Sequence, residues 1–507
     1  MPWKRRRRGS RRPWRVAALA AVLAALVLAL HLPFLHLPFH WDEAGQFVPA
    51  ALDLYRYGDL LPRSAAPNVH PPGVMLYLAA VWKVFGYSIP ATRAAMLLLA
   101  AGGVFVAFLL AIELCRATPG VPAFLAAVFL LASPIFYTQA MMAQLDMPAM
   151  VFTLLAFWLF LRDRYALSAA ACAVLVMVKE TGLLAPLVFA AVLAWEGRRR
   201  AALWFLLPAV PLLAWVAYVR SRTGNPLGDE YFATYNLQYL LHPVRAAVAF
   251  VRRIYHLFFE NFHWLGTMSM LAAVWYANPY RTRGWAVAAL LVAAHVAAFS
   301  VFGGAILERY LLPVLPLVLI AMAAALSALP RLVSAAGTMA LTAGLVLSHF
   351  WNPPYPFPYE NNLAMVDFVE LQQTAAHYLE QNYANARIAT AWPMSEALRN
   401  KDLGYVSFGH PVIRLADFSA YALDRVPRGA ADVFVVFSRE WSPPHNLLQI
   451  PVVEKFWRRF FGYQGQVAAG LIEARLGMKQ VQMWSQRGQW IIILAAREPR
   501  PPLHLPY

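Results

Sequence analysis

Four short segments place a carboxylate at the edge of a long apolar run, and two of them set a cation beside it. They are HWDEAGQF with Asp42 and Glu43, QLDMP with Asp146, VKETG with Lys179 and Glu180, and ERYLLP with Glu308, Arg309 and Tyr310. Ionisable groups at membrane depth are functional candidates by default. Adjacent opposite charges form structural ion pairs, and they also suit a site for an anionic group. The four segments therefore predict a polar cavity at one face of a membrane.

Composition indicates a polytopic membrane protein. Of the 507 residues 60% are hydrophobic and 14% are charged, whereas soluble domains carry about a quarter charged residues. The net charge of +17 raises the question of a nucleic-acid partner. However, eight basic residues fall in MPWKRRRRGSRRPWR, and most others lie in short loops between apolar runs, as expected for topology and contact with membrane lipids. No nucleic-acid partner is expected, and two cysteines indicate no disulfide framework.

Apolar runs of bilayer length, about 20 residues, predict about eleven spans. Their approximate positions are 15–34, 93–114, 120–139, 147–161, 165–179, 182–195, 201–219, 256–276, 284–302, 310–329 and 333–350. With a cytoplasmic N-terminus, the junctions on that side are all basic: Arg116, 162–164, 197–200, 280–283 and Arg331. The positive-inside rule favours this orientation, and it places the residues after Trp351 outside the cytoplasm.

Three regions follow from this pattern. Residues 1–14 form a basic cytoplasmic N-terminus, 15–350 a transmembrane domain with a first external loop at 35–92, and 351–507 an extracytoplasmic soluble α/β domain. In the first external loop, AGQFVPAALDLYRYGDLLP and HPPGVMLYLAAVWKVFG have the spacing of interfacial helices. After FWNPPYPFPYE, an amphipathic helix and the buried strands ARIATAW, ADVFVVFS and QWIIILAA predict the soluble domain.

The first external loop resembles that of the C-type membrane glycosyltransferases, and more closely the family of protein O-mannosyltransferases and the lipid A aminoarabinose transferase. The features are a D–E pair after the first span, a YGDLLP turn, a PPG helix start and Arg93 at the second span. QLDMPAMVF, VKETGLLAP and ERYLLPVLP extend the likeness over residues 1–350. One departure is Val69-His70 before the double proline, where the aminoarabinose transferases have an acid–Lys pair.

The resemblance implies a hexosyl or pentosyl transferase that takes its sugar from a polyprenyl-phosphate donor at the outer face of the cytoplasmic membrane. The family's catalytic carboxylate in this loop is matched by Asp42, which suits a general base for the acceptor hydroxyl. Glu43 either supports Asp42 or faces solvent. The departing phosphate needs cations, and the candidates are Arg309 first, then Lys179 and Arg93, with Tyr310 beside them. An alternative for Arg309 is a salt bridge to Glu308.

Further polar residues are expected to line the cavity: His70, Asp146, Glu180 and Glu308. No cofactor is required by the spacing. Asp146 and His70, with Glu43 or Glu180, could nevertheless complete a site for Mg²⁺ or Mn²⁺. Other histidines are interpreted as interfacial or packed residues, namely His40, His242, His256 and His263. The glycine pairs at 102–103 and 303–304 favour close helix packing or a hinge.

Two other functions fit parts of the pattern. A transporter or flippase would also have many spans and buried charges, but such proteins usually show repeat symmetry and charges at the midplane. A non-catalytic scaffold would leave the carboxylates without a purpose. The sequence names neither the sugar nor the acceptor, which could be lipid, protein or glycan.

Overall fold

Helices make up nearly all regular structure before residue 351 in the computed structural model, which describes residues 13–67, 69–230, 234–302, 304–351, 360–439 and 450–496. The helices of this first part are Pro13–His31, Val48–Tyr57, Gly73–Phe85, Ile89–Leu114, Pro122–Ala132, Pro134–Met141, Asp146–Leu161, Tyr165–Val178, Leu184–Trp195, Arg199–Ala202, Ala209–Thr223, Pro243–Phe258, His263–Tyr276, Arg283–Val301, Leu315–Ala328 and Arg331–Leu347. Single helical turns at Glu43–Phe47, Glu180–Leu183 and Glu308–Leu311 hold the acidic segments.

Within the described residues, four helices are long and apolar enough to cross a membrane: Trp14–Phe34, Ile89–Leu114, Arg199–Thr223 and Arg283–Val301. A helix pair broken at Ser133-Pro134 and bent by 66° adds a fifth crossing if it counts as one, and the break falls where proline removes a backbone donor. Other apolar segments form helices of 10–17 residues, about 15–26 Å long against a hydrocarbon core of about 30 Å. The helical membrane architecture is confirmed, but the count of eleven spans is not.

The predicted span 256–276 takes a different form. Helix Pro243–Phe258 covers only the first residues of the predicted span. The chain then reverses through Glu260–Phe262, and helix His263–Tyr276 begins. Asn261 and Phe262 both have positive φ there, 52° and 65°, a region that non-glycine residues rarely adopt. Hydropathy averages over such a turn and therefore does not detect it.

Both helices predicted in the first external loop form, at Val48–Tyr57 and Gly73–Phe85. Each ends at a glycine with positive φ, Gly58 and Gly86, as is common at helix C-termini. Between them, the Asp53 carboxylate accepts hydrogen bonds from the backbone of Arg63 and Ser64 at 2.7 and 2.8 Å. The loop is therefore a folded unit.

A five-stranded sheet follows residue 360. Its strands are β1 Ile388–Ala391, β2 Val412–Leu415, β3 Val433–Phe437, β4 Lys479–Gln486 and β5 Gln489–Ala495, in the order β2-β1-β3-β5-β4. β1 runs parallel to β2 and β3, whereas β5 is antiparallel to β3 and β4. The three predicted strand segments contain β1, β3 and β5. Helices accompany the sheet at Ala364–Asn382, Met394–Arg399, Ala420–Asp424, Pro451–Phe461 and Ala469–Leu476.

The sheet domain packs directly on the membrane half. The Phe39 amide donates to the Leu403 carbonyl at 3.0 Å, and the rings of Trp41 and Trp392 have centroids 3.8 Å apart. On another side, the Tyr239 hydroxyl donates to the carbonyl of Phe461 at 3.2 Å. These contacts fasten the domain against the segment that carries Asp42.

We expect Gly73→Ala to destabilise the protein. A Cβ at Gly73 would lie 2.4 Å from the Met177 carbonyl oxygen, so helix Gly73–Phe85 would have to move away from helix Tyr165–Val178, at about 1–3 kcal/mol. Gly102→Ala is the matched control, because a Cβ added at Gly102 would have no neighbour within 4 Å. Thermal unfolding midpoints in detergent test this. Equal midpoints for the two variants would contradict this packing.

Candidate active site

Asp42 is a partly exposed carboxylate of the 35–92 loop. It follows Trp41, whose φ is +56° and whose ring is held by Trp392. A non-glycine residue in this conformation persists only where its surroundings hold it. The Asp42 side chain is 27% exposed and accepts an ion-pair contact from Arg309. The loop thus presents one carboxylate at an open position beside a guanidinium.

Arg309 is the centre of the polar cluster. Its side chain is 3% exposed, and its guanidinium contacts Asp42, Asp146 and Glu360, with 3.1 Å between Nε and the Asp146 Oδ2. Burial alone would lower the pKa of Arg309, but Glu360, Asp42 and Asp146 together raise this pKa well above its ordinary value. Arg309 therefore remains charged, and it pairs with carboxylates from three other segments rather than with its neighbour Glu308.

Lys179 and Tyr310 extend the cluster. The Lys179 Nζ lies 2.5 Å from the Asp146 Oδ1, and the lysine side chain is 7% exposed. The same ammonium lies 4.3 Å from the ring centre of Tyr310 and 5.6 Å from that of Phe299. The structure thus brings together the predicted residues Asp42, Asp146, Lys179, Arg309 and Tyr310. Two cations face two carboxylates of the membrane half and one of the sheet domain.

Glu360 is the residue of this cluster that sequence reasoning missed. Its carboxylate contacts Arg309 and accepts a hydrogen bond from the Gln144 Nε2 at 2.7 Å. Its backbone carbonyl accepts from Thr138 and Gln139 at 2.8 and 2.9 Å. Burial, opposed by Arg309, raises the pKa of Glu360 to about 7. The available signal was its position at the end of FWNPPYPFPYE, where the chain leaves the membrane half.

Glu43 and Arg93 form a buried ion pair, with both side chains 0% exposed. The Glu43 carboxylate also accepts from the amides of His40 and Ala143 at 3.1 and 2.6 Å. Arg93 also donates to the carbonyls of Leu37, Pro38 and Met141 at 2.8–3.1 Å. This geometry argues against a substrate contact by Glu43. It also argues against a phosphate contact by Arg93.

His70 and Glu180 pair with each other, with 2.8 Å between Nδ1 and Oε2. Burial would raise the pKa of Glu180, but His70 and then Lys179 lower it. Asp146, proposed from sequence to share a metal with His70, is instead held by Lys179 and Arg309. These separate ion pairs do not assemble the predicted Mg²⁺ or Mn²⁺ site.

Glu308 belongs to a different cluster. Its carboxylate accepts from the Asn361 and Asn261 side-chain amides at 2.5 and 3.4 Å. Among the described residues, His256, Glu260 and Glu308 form the one group of His, Cys, Asp or Glu side chains whose ligand atoms all lie within 4.8 Å of one another. The sequence pattern predicts only a packed histidine at His256 and does not connect these three positions.

A cavity of about 230 Å³ lies between the sheet domain and the membrane half. Residues 304–306 and 417–419 line it from the two sides. Its other lining residues include the aromatic side chains of Tyr235, Tyr239, Trp457, Phe461 and Tyr463 and the arginines Arg252 and Arg439. Ile306 is three residues before Arg309, a chain length of at most about 11 Å. The cavity therefore lies near the Arg309 cluster.

No protein-family model matches the sequence, and no curated protein matches it. Solved structures do match. ArnT from Cupriavidus metallidurans bound to undecaprenyl phosphate has 14% identity and a TM-score of 0.54, over 96% of this chain and 99% of that chain. Apo ArnT from the same organism has 15% identity and a TM-score of 0.54, over 95% and 97%. AglB, an oligosaccharyltransferase from Archaeoglobus fulgidus in complex with an inhibitory peptide and a dolichol-phosphate, has 9% identity and a TM-score of 0.49, over 98% and 75%.

ArnT, the lipid A aminoarabinose transferase, is a C-type membrane glycosyltransferase. Its match extends over nearly the whole of both chains, so the membrane half and the sheet domain are shared as one fold. The resemblance seen in the first external loop is therefore confirmed at the level of the fold. At 14% and 15% identity, the likeness shows the fold and does not assign roles to individual residues.

We expect Arg93→Met to destabilise the protein strongly. It would leave the buried Glu43 carboxylate without its cation, which typically costs about 3–5 kcal/mol. Arg198→Met is a matched control, because its pair with Asp163 is 43% and 61% exposed and such pairs contribute about 1 kcal/mol or less. Unfolding in mixed micelles measures both variants. Similar losses would show that the Glu43–Arg93 pair does not hold the loop.

Proposed function

We propose that the protein transfers a sugar from a polyprenyl-phosphate-linked donor to an acceptor hydroxyl at the outer face of the cytoplasmic membrane. The observation that carries this proposal is the buried Arg309 guanidinium, which joins the accessible Asp42 to the Asp146–Lys179 pair. The fold shared with ArnT supports it, since ArnT binds undecaprenyl phosphate.

Asp42 acts as the general base in this proposal. The acceptor oxygen forms a bond to the anomeric carbon, the bond from that carbon to the phosphate oxygen breaks, and the hydroxyl proton passes to the Asp42 carboxylate. A carboxylate suits this role because proton transfer from a positioned group accelerates such steps by about 10²–10⁴. Asp42 is favoured over Glu43 because only Asp42 has an exposed carboxylate.

Lys179 and Arg309 stabilise the departing polyprenyl phosphate. The phosphate gains negative charge as the bond to the sugar breaks, so cations fixed beside it bind the transition state more strongly than the donor. Tyr310 and Phe299 pack around the Lys179 ammonium and keep it directed at this position. Glu43 and Arg93 are positioning residues that hold the Asp42 loop, and His70, Glu180 and Glu308 line the surrounding polar region.

The cavity beside residues 304–306 suits the acceptor. Aromatic rings offer apolar faces with polar edges, and two arginines suit carboxylate or phosphate groups. The acceptor in this proposal is therefore a molecule with an anionic polar head group and a free hydroxyl. Its hydroxyl would reach Asp42 past the 304–309 segment.

The transfer step as proposed uses no metal. The Asp146 carboxylate already faces two cations, Lys179 and Arg309, which supply the positive charge that the departing phosphate needs. The basic junctions support an N-terminus in the cytoplasm and an external active site. A transporter would instead move the lipid donor, chemically unchanged, from one leaflet of a vesicle membrane to the other.

We expect Asp42→Asn to lower kcat by about 10²–10⁴, because the amide cannot accept the hydroxyl proton. Purified protein in lipid would be supplied with radiolabelled polyprenyl-phosphate sugars, and released polyprenyl phosphate would be measured. Asp59→Asn, in the same loop and paired with Arg63, is the control and should keep full activity. Normal turnover by Asp42→Asn would reject the base assignment, and transbilayer movement of intact donor would favour the transporter.

We expect the donor KM to rise as the pH rises through about 7, because the raised pKa of Glu360 makes this group neutral below that pH and anionic above it. An added charge beside the phosphate site repels the donor by about 1–4 kcal/mol, which is about fivefold or more. Glu360→Gln should remove the rise, because the amide cannot ionise. Donor KM from pH 5.5 to 8.5 measures this, and identical profiles for both proteins would contradict it.

A further inference from the structure

His256, Glu260 and Glu308 converge from three parts of the external side. His256 lies in helix Pro243–Phe258, Glu260 in the following turn and Glu308 in the turn before helix Leu315–Ala328. The His256 Nδ1 contacts the Glu260 carboxylate, and the ligand atoms of all three lie within 4.8 Å of one another. His256 and Glu260 are buried, and Glu308 is half-buried.

The local backbone is shaped to bring these groups together. Asn261 and Phe262 both lie in the left-handed region, which costs about 1–3 kcal/mol at each non-glycine residue. This reversal turns Glu260 back onto His256, one helical turn earlier, and directs the Asn261 amide to Glu308 at 3.4 Å. Strain of this kind persists only where the surrounding structure holds it, and it concentrates at functional sites.

Charge gives a second argument. The ligand atoms of the Glu260 and Glu308 carboxylates lie within 4.8 Å of each other. Two carboxylates at this distance in a buried site are stable together only with a proton or a cation between them. The Arg252 Nε donates to the His256 Nε2 at 3.1 Å, so metal binding at Nδ1 requires the ring proton to move to Nε2 and this contact to open.

We propose that His256, Glu260 and Glu308 bind one divalent transition-metal ion, and that this ion is of the zinc class. One imidazole nitrogen and two carboxylate oxygens are ligands typical of Zn²⁺, with a water or amide oxygen in the fourth position. Mg²⁺ prefers six oxygen ligands and keeps several waters, so a histidine and two carboxylates select against it. Binding at Nδ1 moves the ring proton to Nε2, because a neutral histidine binds a metal through one nitrogen and keeps its proton on the other.

The ion would fasten the sheet domain to the membrane half. Asn361 of the sheet domain contacts Glu308 at 2.5 Å, and Glu360, the preceding residue, contacts Arg309, which follows Glu308. A metal at Glu308 therefore fixes the segment 308–309 against 360–361, beside the proposed active site. The role proposed for this ion is structural, so the proposal does not depend on whether the chain transfers sugar.

The test is zinc binding by the full-length, tag-free protein in detergent. After treatment with EDTA and removal of the chelator, Zn²⁺ is added with Mg²⁺ in a parallel sample, and bound metal is counted by mass spectrometry after gel filtration. We expect one Zn²⁺ per chain, no retained Mg²⁺, and a thermal midpoint raised by Zn²⁺. X-ray absorption should show only nitrogen and oxygen ligands at about 2.0–2.2 Å.

His256→Ala and Glu308→Gln should each weaken zinc binding at least 100-fold. Glu308→Gln keeps the side-chain shape, so it remains informative if His256→Ala does not fold. His349→Ala is the matched control, since His349 is also buried on the external side but bonds to the Ala132 carbonyl, and it should bind zinc as the parent does. Zinc bound equally by the Glu308→Gln variant, sulfur ligands, or no zinc in the parent would overturn the proposal.

Discussion

The buried guanidinium of Arg309 is the interaction on which the arrangement of the site depends. An isolated charge in such a position would be very unfavourable, so its stability requires the carboxylates of Asp42, Asp146 and Glu360. These come from the 35–92 loop, from the start of helix Asp146–Leu161 and from the start of the sheet domain. One cation therefore fixes the relative positions of three parts of the fold that are far apart in sequence.

A second buried pair controls how precisely Asp42 is placed. Glu43 and Arg93 have no exposed surface. They pair with each other, and each also forms hydrogen bonds with backbone groups. Neighbouring Trp41 adopts a positive φ against Trp392. Because Glu43 points inward, Asp42 points outward to Arg309. The two adjacent acids thus differ: Glu43 is buried in an ion pair, and Asp42 is partly exposed beside Arg309.

The sequence predicted those site residues whose charge and position are evident locally. It did not predict contacts that depend on how distant segments pack. The carboxylates and cations at apolar edges identified Asp42, Asp146, Lys179 and Arg309, since ionisable residues near membranes are rare. The sequence could not show that Arg93 forms a buried ion pair with Glu43. Nor could it show that Glu360 contacts Arg309, 51 residues away in the chain. Hydropathy likewise does not detect the break at Pro134 or the reversal at Asn261.

The charge balance around Arg309 links the sheet domain to the proposed chemistry. Asp42, Asp146 and Glu360 face the cations Arg309 and Lys179, and the pKa of Glu360, raised to about 7, makes it the group that can lose its charge by taking up a proton. In the proposed reaction, a donor phosphate would then pair with Arg309 without adding a further buried negative charge. Under this proposal the sheet domain, through Glu360, would balance the charge that the donor phosphate brings to Arg309.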